Sequence, residues 1–332
     1  MRKRNFIGLT LVISMTALIP GLWACLSDNP ENVQFINFGA IPSGSAGLVY
    51  IAQDQGFFET ESLIVSIKDY PTGVATTDAL LSGEVDIAWS AELPMISKAF
   101  AREELSIFAV SSRFNDQYLF GLKQAGITTF SDFKGKRIGL PLKTIAEFYL
   151  ARFFELNGMS IEDVSLVNVL PSESVKALTS SSVDGVVTWE PYSSTIKEQM
   201  VDKIVSWPVQ SSQPGFGVMI GRNDWLRENR ETVERFLKSL VRAEEYQTQE
   251  TETAKDIVQA RTGYDESFMD IFWSESPFLL SLDQSLIIAM EDEARWMIAN
   301  NLTDERRVPN FLDYIYEDAL KAIKPEAVNI IR

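Results

Sequence analysis

The 332-residue chain carries 46 acidic against 30 basic residues, a formal charge of −16, with no histidine and one cysteine. Such a surface repels nucleic acid and anionic headgroups, so a nucleic-acid partner is excluded, and a lone cysteine rules out an intramolecular disulfide. Without histidine the commonest metal ligand and general base is missing, so neither a metal nor a cofactor is expected, and 45% apolar composition over this length suggests two compact lobes held by their cores.

The basic start Met1-Arg2-Lys3-Arg4 is followed by an apolar run, Phe6 to Ala24, which reads as a secretory signal over residues 1–24. Leu22-Trp23-Ala24-Cys25 resembles the lipobox of bacterial lipoproteins, which implies cleavage before Cys25 and lipid on its sulfur. Cleavage would remove three cations and no acid, leaving the mature chain more acidic still. The alternative, a free thiol beside an uncleaved membrane helix, is disfavoured by Pro20 and Gly21 inside the run. Residues 25–34, polar and carrying Pro30, then form a tether, and the expected location is extracytoplasmic, lipid-anchored to a membrane.

Alternation in Gln34-Phe35-Ile36-Asn37-Phe38 predicts a strand, and Leu48 to Ala52 a helix closed by Gly56. Ile64-Val65-Ser66-Ile67 predicts the next strand, Thr77 to Leu81 a helix ending at Gly83, and Val85 to Trp89 a third strand. The order recurs further on: strand at Lys136 to Leu140, helix from Ile145 to Asn157 with Gly158 as cap, strand at Val164 to Val169, helix around Val175 to Leu178, strand at Val183 to Val187. Laying Ala79-Leu80 on Ala177-Leu178 brings Val85-Asp86 onto Val183-Asp184 and Glu92 onto Glu190 without a gap. Alternating strands and helices, given twice, predict two related α/β lobes with mostly parallel sheets. From Asn223 onward the apolar residues fall at helical spacing, as in Val233, Phe236, Leu237, Leu240 and Val241 and again from Leu286 to Ile298, so bracing helices are expected. Trp273, Trp296 and Met297 read as core there, in preference to a binding groove.

Several segments resemble consecutive motifs of one family: Val49-Tyr50-Ile51-Ala52, Gly56-Phe57-Phe58, Leu80 to Ala88, Phe133 to Gly139, Ala177-Leu178 with Val183-Asp184, and Trp189-Glu190-Pro191-Tyr192. Together, from about residue 35 to 220, they resemble the SsuA/THI5-like substrate-binding proteins of ABC importers for nitrate, taurine, sulfonates and thiamine precursors. The resemblance implies a type II periplasmic-binding fold of two α/β lobes, hinged by two crossings, that encloses a small molecule and delivers it to a permease driven by a cytoplasmic ATPase. It places residues 35–120 and 214–332 in the first lobe, 121–213 in the second, and implies a monomer.

In open α/β sheets ligands lie beyond the carboxyl ends of the strands. In the first lobe that edge offers Ser43, Gly44 and Ser45, then Thr72 and Gly73, then Ser90 and Glu92; in the second it offers Lys143 and Thr144, then Trp189 and Glu190. Ser43, Ser45 and Thr144 serve equally as helix caps, and Lys143 as a solvated cation. Glu190 is the strongest candidate, against a surface or hinge-bracing carboxylate, and Glu92 holds the corresponding place in the first lobe. Two carboxylates at one cleft disfavour a simple anion and favour an amine or ring N–H donor, assisted by Tyr118, Trp189, Tyr192 and Phe216. An aminopyrimidine or a zwitterion such as taurine fits that description. Hinges are expected near Phe120-Gly121 and Ser211 to Gly215. The competing readings are an enzyme on the same fold, either a pyrimidine-precursor synthase or a menaquinone-pathway type, and a sensory lipoprotein; the lack of histidine, and of cysteine beyond Cys25, speaks against an iron-dependent synthase.

Overall fold

The chain lays down two sheets and passes between them twice. The computed structural model describes residues 33–332 except 211, 212, 276 and 277, so the signal, the tether up to residue 32 with Cys25, and the Ser211-Ser212 part of the second expected hinge lie outside the described residues. The first sheet begins with β1 (Gln34–Ala40), α1 (Gly47–Asp54), α2 (Phe57–Thr60), β2 (Leu63–Asp69), α3 (Gly73–Leu81), β3 (Ile87–Ala91), α4 (Glu92–Phe100) and β4 (Leu105–Phe114). The chain then crosses to β5 (Tyr118–Leu122), β6 (Arg137–Leu140), α5 (Ile145–Leu156), β7 (Ser165–Asn168), α6 (Ser174–Thr179), β8 (Gly185–Thr188), α7 (Tyr192–Gln199) and β9 (Ile204–Pro208). It returns through β10 (Gly215–Arg222) to α8 (Asn223–Glu228), α9 (Arg230–Gln249), α10 (Thr251–Thr262), α11 (Glu266–Glu275), β11 (Phe278–Asp283), α12 (Gln284–Ala299), α13 (Asp318–Ile323) and β12 (Val328–Asn329).

The seven-stranded sheet runs β12-β11-β4-β10-β3-β1-β2 and the five-stranded sheet β7-β6-β8-β5-β9. Each contains a parallel trio, β2-β1-β3 and β7-β6-β8, and beside it an antiparallel strand that has just crossed over, β10 against β3 and β5 against β8. The repeat read from the sequence is therefore a repeat in space. One detail shows it at atomic level. Asp86 accepts the backbone N–H of Asn37 (2.8 Å) and returns its own N–H to Asn37 O (2.8 Å); Asp184 does the same with Arg137 (2.9 and 2.8 Å). Each aspartate thus clamps the neighbouring parallel strand, at the middle of β1 and at the start of β6. This displaces two expected strands: β3 and β8 begin two residues later than Val85 and Val183, because the Val-Asp pair is used as a turn and clamp.

Gly56, Gly83 and Gly158 close their helices with φ of +65°, +75° and +75°, a conformation that β-carbon crowding makes costly for other residues. The expected hinge at Phe120-Gly121 is corrected. Both residues are mid-strand in β5, which pairs with β8 and β9, and the chain changes sheets before Tyr118. The C-terminal region is also not wholly helical, since the run Phe278 to Leu282 forms β11 against β4, with β12 beyond it. Its length of six residues left it indistinguishable from a helix edge by periodicity.

Phe236 of α9 is a pivot of the larger core, with ring centroids 5.3 Å from Phe58, 5.9 Å from Phe38 and 6.5 Å from Phe108. A smaller core, including Phe120, Leu178, Val186 and Ile196, fills one side of the five-stranded sheet. Trp296 and Met297 are buried, as the core reading expects, and Trp273 packs edge-on against Phe278 at 5.3 Å. Among the described residues no helix is long and apolar enough to cross a membrane.

Asp184 also binds the Arg137 guanidinium at 3.0 Å. Burial pushes its carboxyl up, but the bonds from Arg137 outweigh this and hold it below the usual range. Asp184→Ala should cost about 1–3 kcal/mol of stability near neutral pH, read as a lower urea midpoint. The deficit should shrink as pH falls through the carboxylate range, since the stabilisation requires the ionised form.

Candidate functional site

The carboxyl ends of the parallel strands from both sheets converge on one narrow cavity of about 40 Å³. Its walls are Ile41, Ser43 and Ser45 after β1, Gly73 at the start of α3, Trp89, Ala91 and Pro94 around the β3–α4 junction, Phe114, Asp116 and Gln117 at the first crossing, and Thr144, Ile145 and Trp189 from the other sheet. Most of this surface is apolar, and no lysine or arginine is among the lining residues. Polar recognition therefore rests on hydroxyls, backbone N–H groups and one acid.

Each polar group is positioned by local chemistry. Ser43 caps a short 3-10 turn, accepting the N–H of Ser45 at 3.2 Å. Gly44 donates its N–H to the Tyr264 hydroxyl (2.9 Å), and a β-carbon there would come within 2.8 Å of the Tyr264 and Phe272 rings, so this glycine serves packing beside the wall. Thr72 caps α3 through Ala75 N–H (3.2 Å) and so delivers Gly73 to the cavity. Only glycine fits there, because a β-carbon would lie 2.2 Å from Ser90 Oγ. Ser90 is accordingly beneath the wall, with its hydroxyl buried and without a hydrogen-bond partner. Thr144 precedes α5 but turns its hydroxyl to Pro141 O (2.7 Å), which leaves the first turn of α5 without a side-chain cap. Uncapped N–H groups at a helix start favour an anionic group. The Trp89 indole is fixed by Ser111 Oγ at 3.1 Å.

The structure separates the two glutamates from the cavity wall. Glu190 is 1% exposed; it accepts the N–H of Ser194 at 3.0 Å and pairs with Lys197 at 3.7 Å. Lys197 in turn lies over the Tyr118 ring, 4.4 Å from its centroid, so Tyr118 braces this pair outside the lining set. Glu92 opens α4 and accepts the N–H of Phe216 (3.1 Å), whose ring is covered by Arg113 at 5.3 Å. Ser43, Ser45, Gly73, Thr144 and Trp189 line the cavity; Gly44, Thr72, Ser90, Glu92, Tyr118, Glu190 and Phe216 are not among its lining residues. Lys143, at φ +63°, donates its N–H to Glu147 (2.7 Å) and faces a second cavity between α4, α5 and α12.

The acid that does line the cavity is Asp116, which sequence reasoning missed. Its signal was Asn115-Asp116-Gln117, a polar break between two apolar strands. Asp116 is 6% exposed; Gln117 Nε2 donates to its Oδ1 at 3.1 Å. Burial, and after it the nearby charge of Glu190, pushes its carboxyl up to about 7 against the bond from Gln117. Gln210 locks this crossing to the other one: its Oε1 accepts Gln117 N–H and its Nε2 donates to Phe114 O, both at 3.1 Å. Among the described residues no group of histidine, cysteine, aspartate and glutamate side chains could hold a metal ion.

A family model described as NMT1/THI5 like matches residues 45–254. The chain is 25% identical over 228 residues to the taurine-binding periplasmic protein of Escherichia coli K12, covering 68% of this chain and 70% of that one. It is 26% identical over 224 residues to the 4-amino-5-hydroxymethyl-2-methylpyrimidine phosphate synthase of Aspergillus parasiticus, covering 60% and 61%. It shares its fold with the alkanesulfonate-binding protein SsuA of Xanthomonas axonopodis pv. citri solved with MOPS, at a TM-score of 0.73 and 16% identity, over 86% of this chain and 99% of that one.

Because folding must keep a proton on Asp116 that the unfolded chain releases, its cost grows as pH rises from the ordinary aspartate value of 3.8 to about 7, so Asp116→Asn should stabilise the protein clearly more at pH 8 than at pH 4. Thermal unfolding at the two pH values checks this. An equal effect at both would place the cost of Asp116 outside its ionisation.

Proposed function

The chain belongs to the NMT1/THI5-like family, and from that premise we propose that it is the extracytoplasmic solute-binding component of an ABC importer. One observation carries the reading: strand ends of both sheets meet at a narrow cavity that pairs an uncapped helix start with a buried acid. An anionic group suits the starts of α3 and α5, and an amine or N–H donor suits Asp116. A small zwitterion of the taurine type, or an aminopyrimidine, matches these demands better than nitrate or a plain alkanesulfonate, for which Asp116 has no partner. Ser43, Ser45, Gly73, Thr144, Trp189, Asp116 and Gln117 are the proposed ligand contacts, with Glu190 supporting from behind.

In this proposal the two sheets are the cores of two lobes, 34–114 with 215–332 and 118–208, which rotate about crossings at 115–117 and 209–214. A ligand touching both lobes favours closure by its differential affinity, and a membrane permease with a cytoplasmic ATPase reads the closed shape. Cys25 carries lipid that holds the monomeric protein at a membrane. Binding is favoured over turnover because the cavity lacks histidine and cysteine and offers no nucleophile paired with a base. The likeness to a pyrimidine phosphate synthase supports a second reading, with Asp116 as a base; formation of an aminopyrimidine phosphate by the purified protein would establish it.

Calorimetry with the purified protein should detect one site for taurine or an aminopyrimidine, and Asp116→Asn should weaken that ligand about tenfold or more, the worth of a hydrogen bond to a charged group. X-ray scattering should show contraction at saturation. Tight nitrate or alkanesulfonate binding, with no response to the donor-bearing ligands, would overturn the ligand class; identical scattering profiles would overturn lobe closure.

A further inference from the structure

Glu92 of α4 and Glu293 of α12 are both fully buried and close enough to interact directly. Glu92 Oε2 accepts the Phe216 N–H at 3.1 Å, while Glu92 Oε1 and both oxygens of Glu293 have no hydrogen-bond partner. Ionised carboxylates only accept, so two of them have no bond to make with each other. One shared proton supplies that bond and removes one of two buried charges.

The charged and titratable groups around the pair come from four elements. From α5 comes Tyr149, from α12 Asp292, and from the first crossing Asp116, whose field reaches Tyr149; Arg152 of α5 and Arg113 of β4 are the cations on the neighbouring elements. Arg152 is engaged by Asp292, and Arg113 by Asp283 and the Phe216 ring. Among the described residues neither glutamate has an ion-pair partner, so a proton is the available counter-charge. Burial pushes Glu92 up to about 7; burial, and then the charge of Glu92, pushes Glu293 well above the carboxylate range.

The pair is roofed by the helix that also walls the cavity. Tyr149 of α5 is 2% exposed beside the two glutamates, Phe148 meets Trp296 edge-on at 5.4 Å, and Arg152 reaches Asp292. Thr144 and Ile145, at the start of this region, face the ligand cavity. Lifting α5 from α12 would wet both carboxylates at once and remove the reason for the proton.

We propose that Glu92 and Glu293 share one proton while α5 is seated on α12, and that closure of the lobes takes this proton from solvent, so that solute capture is proton-linked. The inference rests on the lobe closure proposed above. The sign follows from the raised carboxyls: the closed form holds the proton that the open form releases. The closed form is favoured at low pH, and its advantage is lost as pH rises above the ordinary glutamate value of 4.5 and through the raised range of the buried pair. Within that window solute affinity should fall by up to about tenfold per pH unit.

Infrared titration of the full chain tests the proton and scattering tests the closure. The wild type should show a protonated buried carboxyl at pH 6 that disappears as pH is raised through the alkaline range, with an increase in radius over the same range. In Glu293→Gln the amide donates to Glu92, so that band should be missing and the radius insensitive to pH. Asp116 is common to both proteins and cancels in the difference. Calorimetry with taurine at pH 6, in buffers of different ionisation enthalpy, should count close to one proton taken up by the wild type and close to none by the variant. No protonated carboxyl in the wild type, or the same pH-dependent expansion in the variant, overturns the proposal. If Glu293→Gln fails to fold, Glu92→Gln and the wild-type infrared titration decide it. A wild type that keeps its carboxyl proton but never contracts with taurine would reject lobe closure, and with it the linkage, while leaving the shared proton in place.

Discussion

The constraint on which the rest of the structure depends is that each sheet is completed by a strand that has just arrived from the other. β10 inserts between β3 and β4, and β5 between β8 and β9, so the central ladder of either sheet cannot form until the chain has crossed. Crossing strands are antiparallel to their parallel neighbours, which keeps the carboxyl ends of β1, β3, β6 and β8 directed at the same gap. The cavity is thus a product of connectivity. Its wall residues come from positions separated by up to 148 residues, Ile41 to Trp189, and acquire a common environment only in the completed fold.

The parallel halves of both sheets were legible because their sequence signals are local. Alternation at Gln34 to Phe38, glycine stops at Gly56, Gly83 and Gly158, and the recurring Ala-Leu and Val-Asp pairs each report on a few neighbouring residues. The crossing strands gave no comparable signal. β10 is buried on both faces over nearly its whole length, so it has no alternation to read, and β11 is a six-residue apolar run resembling a helix edge. The same difference explains the site. Ser43, Ser45, Gly73, Thr144 and Trp189 were found because strand ends and helix starts are recognisable. Asp116 was missed because its importance depends on being buried at a crossing whose position the sequence did not reveal, three to six residues before the expected hinge.

Acidity is distributed by depth. Surface acids are paired or solvated, as with Asp184 and Arg137, while Glu92, Glu293 and Asp116 sit where water is scarce and cations are absent. Burying an unpaired carboxylate is costly enough that neutralisation by a proton or by a ligand cation is the stable outcome. Glu190 is the contrasting case, with Lys197 and the Ser194 N–H provided. Among the buried acids, Glu147 is held by the Lys143 N–H and Glu190 by the Ser194 N–H and Lys197, Glu92 and Glu293 form a pair suited to a proton, and Asp116 faces the cavity.

Gln210 has a mechanical consequence. By bonding Gln117 N–H with one end and Phe114 O with the other, it laminates the two crossings into a two-ply strap, reinforced by Val209 N–H on Gln117 O at 3.0 Å. Two plies fixed to each other resist sliding and twisting far more than flexing. In the proposed lobe rotation such a strap favours bending, centred on the segment that carries Asp116, over shear or twist.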